Sequence, residues 1–281
     1  MADLNGSKRM RTARFIMIVL AVWSAGGVAG MDLHLVGELT QGSLVRGRVA
    51  PGSEAWLDGR ALRVTADGWF VFGFDRDAPV SAELVLRGPS GEEGRYPLDV
   101  APRTYRVQHI DGLPPREVTP SETDLARIRA DGVLLDAAKR RDSPADGFTE
   151  QMIWPVSGRI SGVFGSQRIL NGEPRAPHRG VDIAAPAGAS VGAAASGVVS
   201  LAESDMYFTG GTVMLDHGYG VHSIYAHLDE VRVTVGQRLR QGQVLGTVGA
   251  TGRASGPHLH WGVYWFDHAV DPALLVGSVS K

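Results

Sequence analysis

The hydrophobic pattern changes character along the chain. From about residue 35 to 110, short apolar runs are cut at short intervals by turn signals. Trp69-Phe70-Val71-Phe72-Gly73-Phe74 and Ala82-Glu83-Leu84-Val85-Leu86 read as strands, and Pro51-Gly52, Asp58-Gly59, Asp67-Gly68 and Gly88-Pro89-Ser90-Gly91 read as turns. That spacing predicts a small β-sandwich over residues 31–112. Residues 113–150 then read as a linker around one helix at about 121–141. Ser121 and Asp124 have capping-box spacing, Leu125, Ile128, Leu135 and Ala138 fall on one side, and Lys139-Arg140-Arg141 suits a helix C-terminus.

From residue 151 to 281 the texture becomes glycine-punctuated β, which predicts a compact, mainly antiparallel domain. The clearest alternation is His258-Leu259-His260-Trp261-Gly262-Val263-Tyr264-Trp265, directly after Gly256-Pro257. On a strand, residues two apart share a face. Leu259, Trp261, Val263 and Trp265 are therefore expected in the core, and His258, His260 and Tyr264 on the other side. In Ser223-Ile224-Tyr225-Ala226-His227-Leu228 the same rule places His227 with Ser223 and Tyr225 on the polar side, and His222 on the opposite face. His217, in Asp216-His217-Gly218-Tyr219-Gly220, is expected in a turn.

Composition narrows the class. The 281 residues are 43% hydrophobic and 21% charged with a formal net charge of −2, as expected of a globular protein with no reason to bind nucleic acid. There is no cysteine, which excludes disulfides, thiolate metal sites and a cysteine nucleophile. Lys8, Arg9, Arg11 and Arg14 precede an apolar run from Phe15 to Val22, and Gly27-Val28-Ala29 offers a small-x-small cleavage site. Residues 1–30 therefore read as a signal peptide, with an uncleaved membrane anchor as the alternative. The expected location is the periplasm or cell envelope.

The candidate chemistry lies in three clusters: His178 with Asp182, His227, and His258 with His260. Catalytic zinc sites take three protein ligands from such groups and keep a fourth position open. Two histidines and one aspartate would leave positive charge on the ion, able to polarise a carbonyl.

His178-x-x-x-Asp182, Tyr225-Ala226-His227-Leu228 and Gly256-Pro257-His258-Leu259-His260 resemble, in order and spacing, the signature motifs of the lysostaphin-type zinc metallopeptidases, the M23 or LytM-domain family. The run Val235-Gly236-Gln237 to Thr251-Gly252 resembles that family's approach to its last motif. The resemblance covers roughly residues 154–275. It implies that His178, Asp182 and His260 hold Zn2+ and that His227 and His258 act as catalytic histidines. It further implies an endopeptidase acting on peptide cross-links of bacterial peptidoglycan, with D-alanyl bonds to diaminopimelate favoured. Tyr207 is a candidate for the substrate wall. The competing reading is a metal-free activator or binding module for a cell-wall amidase, a branch in which metal ligands are lost; all five positions are filled here. A biotinyl or lipoyl carrier is set aside because no lysine occurs from Asp142 through Ser280. Oligomeric state and the role of the N-terminal β domain stay open at this level.

Overall fold

The computed structural model describes residues 31–110, 121–170 and 172–276; the signal segment expected at 1–30 lies outside them. The N-terminal β unit contains β1 (His34–Val36), β2 (Leu44–Arg48), β3 (Glu54–Leu57), β4 (Arg60–Leu62), β5 (Trp69–Gly73), β6 (Ser81–Arg87) and β7 (Glu93–Asp99). They form two antiparallel sheets, ordered β1-β2-β5 and β4-β3-β6-β7. Val45, Phe70, Phe72, Leu84 and Leu86 fill the space between them and are fully buried. Next come β8 (Val107–Ile110) and the helix α1 (Glu122–Lys139). The Ser121 side chain accepts from the Asp124 backbone N–H while the Asp124 carboxylate accepts from the Ser121 N–H, so two otherwise orphaned donors at the helix start are satisfied reciprocally.

The remaining strands are β9 (Arg159–Gly162), β10 (Gln167–Leu170), β11 (Glu173–Pro174), β12 (Val181–Ala184), β13 (Ser190–Gly192), β14 (Gly197–Met206), β15 (Gly210–Gly218), β16 (Val221–Val231), β17 (Arg238–Leu239), β18 (Val244–Val248), β19 (Leu259–Trp265) and β20 (His268–Val270). Most belong to one large sheet with the path β17-β14-β15-β16-β19-β12-β9, to which β13, β18 and β20 attach. A smaller sheet, β11-β10-β8, joins the N-terminal unit to the segment preceding His178. Among the described residues the architecture is mainly β with one α-helix, as the alternation predicts.

Register divides the large sheet into two faces, because directly paired residues project to the same side. One face carries Tyr225 paired with Trp261, Ser223 with Val263 and Val181 with Trp261, and it is buried in the main core. The other carries a row of Ala226, His260, Asp182 and Gly162, followed along β16 and β19 by Ile224 with Gly262 and His222 with Tyr264. The helix covers the far end of this second face. Ala138 and Leu135 pack with Leu201, Met206, Met214, Ile224 and Tyr264 in a separate small core. Tyr264 thus shares a face with His260, as alternation requires, yet is buried under α1.

Candidate active site

β12 and β19 are adjacent antiparallel strands with Asp182 opposite His260, so strand pairing alone joins residues 78 apart in sequence. His178 enters from the loop before β12. Its Nε2 lies 3.0 Å from Asp182 Oδ1 and 3.0 Å from His260 Nδ1, and the last two atoms are 2.9 Å apart. A glycine is required beneath this triangle, since a Cβ at Gly162 would stand 2.2 Å from Asp182 Oδ2.

The tautomer of His178 follows from its other nitrogen. Nδ1 donates to the Val163 carbonyl at 3.1 Å, which leaves a lone pair on Nε2. A lone-pair nitrogen, a second imidazole nitrogen and a carboxylate oxygen therefore converge at about 3 Å. At most one shared proton could relieve that crowding of acceptors. A small divalent cation satisfies all three, and this donor set and spacing fit one. Burial opposes ionisation of Asp182, but the adjacent His178 and His260 imidazoles outweigh it and hold the carboxyl far below the ordinary range. Burial lowers the His260 pKa, with Asp182 opposing.

His227 and His258 stand beside this triangle, their ring centroids 4.7 Å apart. His258 Nε2 is 3.9 Å from Asp182 Oδ1, and the His227 ring centroid is 6.2 Å from that of His260. Each donates from Nδ1 to a backbone carbonyl, His227 to Thr251 at 2.9 Å and His258 to Gly256 at 2.8 Å. In both, Nε2 is then the basic nitrogen. Burial pushes the His227 pKa down to about 4, against the Thr251 hydrogen bond.

Strict alternation fails at His227. The register of β15 on β16 shifts between the Val213–Tyr225 and Gly211–Leu228 pairs, and His227 adopts φ 64°, left-handed for a non-glycine residue. This bulge turns His227 away from Ser223 and Tyr225 and toward the face of His260. His222 is consequently on the same broad face as His227, opposite to the expectation, and is buried. The supposed polar side of β16 is also buried. Ser223 Oγ lies 3.0 Å from the Tyr225 hydroxyl, which accepts from the Ala194 N–H at 2.8 Å.

His217 is in β15, not in a turn, and completes this network. Its Nδ1 donates to the Ser196 carbonyl at 2.7 Å and its Nε2 lies 2.7 Å from Ser223 Oγ. Burial pushes its pKa down to about 4. The unfolded chain binds this proton near pH 6.5, so the stabilisation is complete above that pH and is lost as pH falls toward 4. The loss attributable to this one group amounts to about 3 kcal/mol. Urea unfolding between pH 7.5 and 4.5 is expected to show it, with a shallower slope in His217→Gln. Equal slopes in the two proteins would refute the assignment.

Tyr207 lies in the turn between β14 and β15, where its N–H donates to Asp131 of α1 at 2.7 Å and its ring meets Phe208 edge-on. The same turn reaches the site through its backbone, because the Thr209 carbonyl accepts from the His227 N–H at 2.7 Å. The groups that sequence reasoning misses are the carbonyls of Val163, Thr251 and Gly256. Every residue has such a carbonyl, so no residue type signals it; Gly252 beside Thr251, and Gly256 itself, are the hints of close backbone approach.

Comparison with known proteins points to the same region of the chain. The model of peptidase family M23 matches residues 176–272, which contain all five residues of the cluster. A structural-genomics crystal structure assigned to peptidase M23, from Pseudomonas aeruginosa, superposes with a TM-score of 0.66 at 32% identity, covering 86% of this chain and 96% of that one. That span reaches well beyond residues 176–272 into the N-terminal unit. The peptidoglycan DD-endopeptidase ShyC of Vibrio cholerae is 40% identical over 105 residues, 37% of this chain and 24% of its own. The DD-carboxypeptidase/endopeptidase Mpg of Neisseria meningitidis is 44% identical over 84 residues, 30% of this chain and 19% of its own. The chain thus spans a quarter or less of the length of these two curated relatives. The crystal structure, by contrast, is matched over nearly its whole length, and on that match together with the motif-bearing residues the chain belongs to peptidase family M23.

Proposed function

We propose that the protein is an exported zinc endopeptidase that hydrolyses peptide cross-links of bacterial peptidoglycan, at D-alanyl bonds to diaminopimelate. The observation that carries this reading is the convergence of His178 Nε2, Asp182 Oδ1 and His260 Nδ1, with two further imidazoles beside them. The printed activities of the Vibrio and Neisseria relatives support the substrate class.

In this reading His178, Asp182 and His260 hold zinc, which when bound supplies Lewis-acid polarisation of the scissile carbonyl. The chain's own residues do the rest. His227 and His258, with Nδ1 committed to carbonyls, keep Nε2 for proton transfer. One takes the proton of the attacking water, and the leaving amine receives one before it departs. The backbone bonds fix both rings, so little reorganisation is needed during reaction. The left-handed backbone at His227 is consistent with a strained conformation retained at a functional position. The Tyr207-Phe208 turn forms one wall of the substrate groove.

The test is to mix the purified protein with isolated cross-linked muropeptides and read the products by mass spectrometry, with and without a zinc chelator. Disappearance of dimers, abolished by chelation, is the expected result, and the product masses identify the bond. Intact dimers with zinc-loaded protein would refute this substrate. Intact dimers together with no zinc binding would favour the amidase-activator reading.

A further inference from the structure

The turn at residues 163–166 touches the metal cluster at several points. It follows Gly162, which lies under Asp182, and the Val163 carbonyl accepts from His178 Nδ1. The Gly165 N–H donates to the His178 carbonyl at 2.9 Å, and the His178 N–H donates to the Ser166 carbonyl at 2.8 Å. Both the ring and the main chain of His178 are therefore set by this turn.

The turn is in turn held by the N-terminal unit. Arg76 Nε donates to the Gly165 carbonyl at 2.9 Å. The Tyr105 ring occupies the space beside Gly165, where a Cβ would come within 2.1 Å of it, and Gly165 has φ 76°. Phe164 is buried and packs edge-on against Tyr105 at 6.1 Å. The Arg76 and Arg103 guanidinium groups lie 4.6 and 5.3 Å from the Tyr105 ring centroid, and Arg103 is anchored to the buried Asp271 carboxylate at 2.7 Å. Beyond the turn, Gln167 donates to the Arg106 carbonyl and β10 runs parallel to β8. A four-residue turn between strands would ordinarily be mobile. Here it is clamped on the side away from His178.

We propose that the N-terminal β unit is an outer support of the metal centre, with Arg76 and Tyr105 as positioning residues that orient His178 through the 163–166 turn. This rests on the reading of His178 as a zinc ligand. Groups that orient a ligand are commonly worth 10- to 100-fold in metal affinity.

The test uses the full chain with zinc titrated against a chromophoric chelator, and the visible spectrum after cobalt(II) substitution. Tyr105→Ala and Arg76→Ala are expected to weaken zinc binding by about 10- to 100-fold and to alter the cobalt bands. Tyr105→Phe is expected to behave as the parent, because the ring makes the contacts and the hydroxyl has only a 3.4 Å bond to the Gln41 carbonyl. Leu84→Ala, in the core of the β unit, controls for general destabilisation and is expected to lower Tm with zinc affinity unchanged. Parental affinity and spectra in both alanine variants, or an equal loss in Leu84→Ala, would overturn the proposal. Should Tyr105→Ala fail to fold, Arg76→Ala decides alone. A parent protein without tight zinc binding would sink the ligand reading, and this inference with it.

Discussion

His260→Ala is expected to remove stoichiometric zinc and to lower muropeptide cleavage by about 10³-fold or more, the equivalent of several kcal/mol of lost transition-state stabilisation. His260 Nδ1 is within 3.0 Å of both other atoms of the triangle, so its loss leaves only His178 and Asp182 as candidate ligands. Two protein ligands are fewer than a catalytic zinc site uses. The fold should survive, because Leu259 and Trp261 on either side carry the core contacts of β19 and both are fully buried. Metal content by mass spectrometry and turnover on the same preparation would check this. One zinc per chain with parental turnover would exclude His260 from the ligand set.

His227→Ala is expected to give the complementary result: zinc retained and turnover down by about 10²- to 10⁴-fold, the range for losing a group that moves a proton in the transition state. His227 makes no hydrogen bond to the triangle, and its Nδ1 is committed to the Thr251 carbonyl. Its removal therefore leaves the three atoms of the triangle where they are. Alanine keeps the Cβ that histidine already carries at φ 64°, so the substitution introduces no new kind of backbone clash. Turnover within tenfold of the parent would exclude a catalytic part for His227. Loss of zinc in this variant would instead mean that His227 contributes to metal binding.

The contrast between these two histidines also shows what a linear pattern can convey. His260 is legible because it obeys period two: Leu259, Trp261, Val263 and Trp265 are buried on one side and His260 faces the other. Its meeting with Asp182 and His178 rests on two separate motifs that only a family resemblance links. His227 is misread by the same rule, because a bulge is set by the partner strand and leaves no mark on local alternation. Tyr264 is assigned to the correct face, but its burial depends on α1, which lies more than a hundred residues earlier. His217 looks like a turn residue beside Gly218 and Gly220, yet it sits in a buried network completed by Ser196 and Ser223. The support of His178 is invisible in the sequence for a further reason. It runs through main-chain carbonyls and through contacts such as Arg76 to Gly165, between residues 89 apart.

The seam between the N-terminal unit and the large sheet bears on how such a chain can be rearranged. Gly73 of β5 lies where a Cβ would come within 3.0 Å of Trp265 and 3.2 Å of Val270, and the Arg60 guanidinium lies 4.5 Å from the Trp265 ring centroid and 4.4 Å from that of Phe266. Phe70, Phe72 and Trp265 belong to one contiguous apolar interior. The half that matches family M23 is therefore not a freely exchangeable cassette. Transplanted onto a foreign carrier, it would expose the aromatic surface around Trp265 and Phe164 that its own partner covers. Successful recombination in this lineage would have to carry both halves together or resurface the seam with polar residues.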